Sequence, residues 1–110
     1  MTYSEYWNQL LSSLKGTNQE FPTTPKREVT PKWFSASTDG TKIFISKAVN
    51  HQPASSLRGV RKLDFKEFEK IFPLYLRREQ GDSVSAEASQ STFNQVYWYS
   101  LIYHCCKRGE

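Results

Sequence analysis

The residues able to do chemistry are few and scattered. His51 and His104 are the only imidazoles, and Cys105 and Cys106 the only thiols. Neighbouring cysteines cannot close an ordinary unstrained disulfide. With His104 they sit at different azimuths of a helix, and no second cysteine pair completes a tetrahedral metal set. Reduced thiols without a metal ion are therefore expected. The chain has no serine elbow, no phosphate-cradling glycine loop and no paired-histidine motif. Asp39 followed by "IFISK" has the outline of a nuclease site, in which an acid and then acid-x-Lys on the next strand bind Mg²⁺. Here Ile45 stands two positions before Lys47, which leaves one carboxylate where the ion needs at least two. The reading leans away from an enzyme and expects no cofactor.

Charge offers a second chemistry. The 110 residues carry a net +4, but residues 32–63 hold six cations against Asp39 alone. Lys42, Lys47, Arg58, Arg61 and Lys62 are the candidate contacts to nucleic acid or another anionic partner, with Phe44 as an exposed aromatic beside them. The plain alternative is a solvated sheet face. Arg77, Arg78 and their flanking acids read as a solvated helix face, where surface pairs contribute little.

The third feature is "STFNQVYWYSLIYHCC", residues 91–106. On a helical wheel Phe93, Tyr97, Leu101 and His104 form one stripe, Trp98, Ile102 and Cys105 lie beside it, and Val96, Tyr99, Tyr103 and Cys106 form another. A helix apolar most of the way around must be covered on several sides. The expectation is part core and part twofold contact, with Val96, Trp98, Tyr99 and Tyr103 as candidate dimer residues. Residues 85–102 also outline a helix-turn-helix, with Asn94 and Gln95 placed to read adenine. Against it, no basic residue lies between Glu79 and Lys107 to anchor phosphates.

The elements that must position these groups follow from periodicity. Tyr3, Tyr6, Trp7, Leu10, Leu11 and Leu14 trace one stripe of a first helix, capped by Thr2 or Ser4 and ended by Gly16. Residues 17–31 hold three prolines and no period, which predicts a wrapping loop with Phe21 and Val29 plugging the core. Two alternating runs flank Asp39-Gly40 and predict a tight hairpin in which Ala36 faces Ile43 and Phe34 faces Ile45. "AVNHQPASSLRG" reads as an exposed loop bent at Pro53, and "LRGVRKLD" as a third strand weakened by Gly59. Asp64 with Glu67 makes a capping-box start for the next helix. A kink or a helix–helix joint is expected near Phe72, because Pro73 has no donor for the carbonyl four residues back, and the element should end at Gly81. A short helix or turn over residues 82–90 and a last helix capped by Thr92 with Gln95 complete the order.

Together these predict one domain over residues 1–110 of α+β class: an N-terminal helix, an antiparallel hairpin or three-stranded sheet, and C-terminal helices on one sheet face. Aromatics make up 15% of the chain, so rings that bury about 150–250 Å² each should dominate the core. Trp7, Trp33 and Trp98 are candidates to line a pocket between the first helix and the sheet, or else plain core. No apolar run reaches the roughly 20 residues that span a bilayer, and the N-terminus lacks a signal-peptide profile. A cytoplasmic protein without membrane contact is expected.

"YWNQLL", "PKWF" entering the "DG" hairpin, and "STFNQVYWYSLI" together resemble small proteins carried on bacterial mobile gene cassettes of the integron type, over most of the chain. The resemblance implies an α+β fold, a bacterial cytoplasmic setting and a homodimer, and brings no active-site residues with it. The function expected is a non-enzymatic binding or adaptor module. The alternative is a nucleic-acid-associated protein using residues 42–62.

Overall fold

Helix α1, Tyr3–Leu14, starts where Thr2 and Glu5 close a capping box: each side chain accepts from the other's backbone N–H. Gly16, at φ +86°, lets the chain turn away after it. The computed structural model describes residues 2–25 and 30–107. Trp7, Leu10 and Leu14 form the buried stripe of α1, as the periodicity predicts.

The sheet has four strands, not two or three. Strands β1 (Gln19–Pro22), β2 (Trp33–Thr38), β3 (Ile43–Lys47) and β4 (Arg61–Leu63) pair as an antiparallel meander in that order. The segment expected to be a wrapping loop thus supplies an edge strand, whose Phe21 lies opposite Phe34. Four residues are too few to display alternation, and Pro22 is tolerated because it sits at the end of an edge strand. Val29, the other expected plug, lies outside the described residues.

The β2–β3 hairpin is wider than predicted. Thr38 pairs with Ile43, Ala36 with Ile45 and Phe34 with Lys47, which leaves a four-residue loop in place of a two-residue turn. Asp39 Oδ1 accepts from both Thr41 N and Lys42 N at 2.8 Å, and Gly40 adopts φ +95°. The register slips by two residues, so every side chain keeps its expected face. Phe34, Ala36, Ile43, Ile45 and Leu63 form the buried inner face.

Helix α2, Phe65–Glu79, is N-capped by Asp64, but Glu67 does not return the bond and reaches instead for Trp98. Of the kink or joint expected near Phe72, the joint is absent: α2 runs unbroken through Pro73. Burial of Phe68, Ile71, Phe72, Leu74 and Tyr75 outweighs the lost donor. Gly81, at φ +94°, ends the helix: its N–H bonds the Arg78 carbonyl, and Asp82 N–H bonds that of Arg77.

The last helix begins later than predicted. Thr92 closes α3 (Ser85–Ser91), and α4 (Gln95–Leu101) follows without a side-chain cap. A π-helical turn, Ile102–Lys107, continues it. Tyr97, Trp98, Ser100, Leu101 and Ile102 are buried against the sheet's inner face and α2, with the Tyr97 ring edge-on to Phe34 at 5.0 Å. The helices thus share one sheet face, as expected for this α+β architecture.

Candidate functional site

A cleft of about 570 Å³ opens where β1 runs out and β2 begins. Six segments supply its walls. Thr23 and Thr24 continue from β1, Thr30 and Lys32 lead into β2, and Ser55 and Ser56 follow the long β3–β4 connection. Arg78 comes from the last turn of α2, Ser85 from the start of α3, and Gln95, Val96, Tyr97 and Tyr99 from α4.

Each wall is fixed by backbone pairing. Thr23 N–H donates to the Lys32 carbonyl at 2.9 Å, and Lys32 N–H donates back to Thr23 Oγ1 at 3.1 Å. Ser55 N–H donates to the Trp33 carbonyl, and Trp33 N–H to the Pro53 carbonyl, both at 2.8 Å. The Arg78 guanidinium lies 4.5 Å above the Tyr99 ring and donates through Nη2 to the Thr24 carbonyl at 2.6 Å. Burial pushes the Tyr99 phenol above its usual range, with Arg78 pulling partly the other way. Thr24 Oγ1 is buried in this wall with no hydrogen-bond partner among the described residues.

Cleft residues such as Thr24, Ser55 and Arg78 were not singled out by the sequence. Arg78 was read as solvated; it is half-buried and held on Tyr99. Arg77 does match that reading, exposed and paired with Asp82 at 3.2 Å and Glu87 at 2.8 Å. The one signal available was the hydroxyl-rich composition of "FPTTP" and "PASSL".

The three tryptophans do not line a common pocket. Trp7 and Trp98 lie 6.0 Å apart in the core beside Phe68. Trp33 points to the other sheet face, where the His51 ring stacks on it at 3.8 Å. That stack belongs to a latch. The Glu20 carboxylate accepts from Val49 N, Asn50 N and His51 Nδ1, at 2.8–3.2 Å. Its side chain is 7% exposed. Burial alone would raise Glu20, yet these donors together bring it down to about 2. The connection expected to be an exposed loop is therefore tied down at its centre, with Ala48 and Ser55 buried.

Of the expected dimer residues, Trp98 (0% exposed) and Tyr99 (7%) are covered by this chain's own α2, sheet and Arg78 and offer no surface to a second copy. Val96 and Tyr103 are about half exposed, and Phe93 nearly fully. The helix-turn-helix outline also lacks a reading face. Asn94 is engaged by Glu67 and by Arg61 Nη1 at 3.0 Å, and α4 beyond Val96 is buried.

The basic candidates separate. Lys62 lies opposite Phe44 on the outer face of β3, and Lys42 is exposed in the hairpin loop just before β3. Lys47 and Arg61 take inner-face register positions, Lys47 at the end of β3 and Arg61 on edge strand β4, and Arg61 stands 5.6 Å from the Tyr97 ring centroid. Arg58 precedes β4 and is exposed.

Cys105 is buried, and burial pushes its thiol up to about 11, with a Ser13 hydrogen bond opposing. It is no ready nucleophile. It lines a second cavity of about 600 Å³ with His104, Glu20 and Trp33. Among the described residues no group of three His, Cys, Asp or Glu could hold a metal ion, and no helix is long and apolar enough to cross a membrane.

No protein-family model matches the chain, and no curated protein or solved structure matches it. Its function is read from its own geometry.

Proposed function

We propose that the chain is a non-enzymatic binding module whose seat is the Arg78 cleft. The observation that carries this is the cleft itself. At about 570 Å³ it falls within the range of small-molecule sites, roughly 300–1,000 Å³. It combines an apolar wall from Val96 and Tyr99 with a rim of hydroxyls. None of its described lining residues is a histidine, a cysteine or a carboxylate, so it pairs no nucleophile with a base. Screening a fragment library against the ¹⁵N-labelled protein tests the reading. Bound fragments should shift the amides of Ser56, Lys32 and Gln95 as a group. A screen in which those amides never move together would refute it.

Pairing of two copies belongs to the same proposal, now through Val96 and Tyr103 alone, on the exposed side of the C-terminal helix. The likeness to mobile-cassette proteins adds a bacterial cytoplasmic setting and names no ligand.

A second reading is favoured by the outer sheet face, where Phe44 lies between Ser37 and Lys62 on the neighbouring strands, with exposed Lys42 in the adjoining hairpin loop. A ring beside such cations suits a stacked base with its phosphates. Anisotropy with a labelled single-stranded oligonucleotide at low salt decides it. Binding lost in Phe44→Ala and Lys62→Ala supports nucleic acid, and no binding at low salt retires it.

A further inference from the structure

We infer that the cleft takes a small organic anion, a carboxylate carried on a ring-sized apolar body. This deepens the binding-module reading and rests on it. Two cations, Arg78 and Lys32, line the cleft, and no acid does among the described residues. Neither cation forms an ion pair there: the described salt bridges use His51 and Arg77.

The arginines near the cleft differ in what they have left to give. Arg77 is taken by Asp82 and Glu87, and Arg61 by Asn94 and the Phe93 carbonyl. Arg78 bonds one carbonyl through Nη2 and keeps its other N–H groups without a partner among the described residues. A guanidinium has five donors in a planar fork, which matches the two oxygens of a carboxylate. The Tyr99 ring beneath and the Thr24 carbonyl beside it hold that fork in one orientation. A bound anion therefore meets a pre-oriented cation and loses little side-chain freedom in fixing it. The apolar body follows from Val96, which lines the same cleft and is about half exposed; it would stay wet against a bare anion such as acetate, but a flat ring covers it.

Three probes separate these elements by chemical-shift titration: 2-naphthoate, its neutral counterpart 2-naphthamide, and acetate. The expected result is naphthoate binding about tenfold tighter than naphthamide at low salt, one charge-assisted contact's worth, with acetate leaving the cleft amides unmoved. Arg78→Gln should erase the preference. Because that change also frees Thr24 and Tyr99, Lys32→Gln at an exposed site is the second variant. It should weaken naphthoate severalfold and leave naphthamide unchanged. Equal binding of naphthoate and naphthamide would overturn the anion, and equal binding of acetate would overturn the apolar body. If all three probes leave the cleft unmoved while other fragments occupy it, this inference fails alone. If the whole library leaves it unmoved, the binding-module reading falls as well.

Discussion

Glu67 holds the C-terminal third of the chain to α2, and removing its carboxylate should be the most damaging single change outside the apolar core. Its Oε1 accepts from Trp98 Nε1 at 2.7 Å, from Asn94 Nδ2 at 3.3 Å and from the Thr92 hydroxyl. Trp98 is 0% exposed and Thr92 7%, so neither recovers a water partner when the carboxylate goes. A buried donor left unsatisfied costs about 1–3 kcal/mol, and two such donors put Glu67→Ala at about 2–6 kcal/mol. At roughly 4 °C per kcal/mol for a domain of this size, the thermal midpoint should fall by about 8–24 °C. The assay is urea unfolding followed by far-UV circular dichroism, in a double-mutant cycle with Trp98→Phe. Phenylalanine has no N–H to strand, so the Glu67→Ala penalty should shrink by about 1–3 kcal/mol in that background. A Glu67→Ala protein within about 0.5 kcal/mol of wild type, or strictly additive effects, would refute the assignment of Glu67 as the anchor.

The Glu20 latch should be sensitive to acid. A carboxyl lowered from 4.5 to about 2 contributes stability that is full above pH 4.5 and is lost as pH falls through 2. The Val49 and Asn50 amide shifts should therefore titrate near pH 2; titration near pH 4.5 would show that the latch is not formed. Tyr103→Glu should turn a dimer into a folded monomer by light scattering, and a wild type of monomer mass would dispose of the pairing. Pro73→Ala should stabilise by about 1–2 kcal/mol. It regains a helix donor worth up to ~3 kcal/mol against ~1 kcal/mol of unfolded-chain freedom. A lower urea midpoint would mean that the ring's packing matters more than the hydrogen bond.

What could be read from the residue order was whatever repeats at short range. The stripe of α1 and the alternation of β2 and β3 are local patterns, and even the misjudged hairpin register kept its faces because strands repeat every two residues. β1 escaped because its identity lies in its pairing with β2, 11 to 17 residues away, and not in its own four residues. Glu67 was legible as a capping residue, but its actual partner is 31 positions on, and a buried tryptophan N–H binds it more usefully than a backbone already near solvent. The largely apolar character of residues 91–106 signalled cover on several sides, but not that Trp98 and Tyr99 would be covered by the chain's own α2, sheet and Arg78 while Phe93, Val96 and Tyr103 stay exposed.

The cleft was illegible for a related reason, and that reason bears on its role. Its lining comes from six segments, most carrying hydroxyls, which are poor at filling space and need partners when buried. Elsewhere the fold meets such needs at long range: Ser100 donates to the Pro22 carbonyl, Trp98 to Glu67, and Cys106 to the Tyr6 carbonyl. At the cleft it leaves Thr24 Oγ1 buried without a described partner and an arginine fork only partly used. An unsatisfied buried hydroxyl costs about 1–3 kcal/mol. Proteins break local rules of this kind chiefly where function demands it. Thr24 and Arg78, side by side in one cleft and against satisfied polar contacts around Trp98, are the features on which the proposed binding role rests.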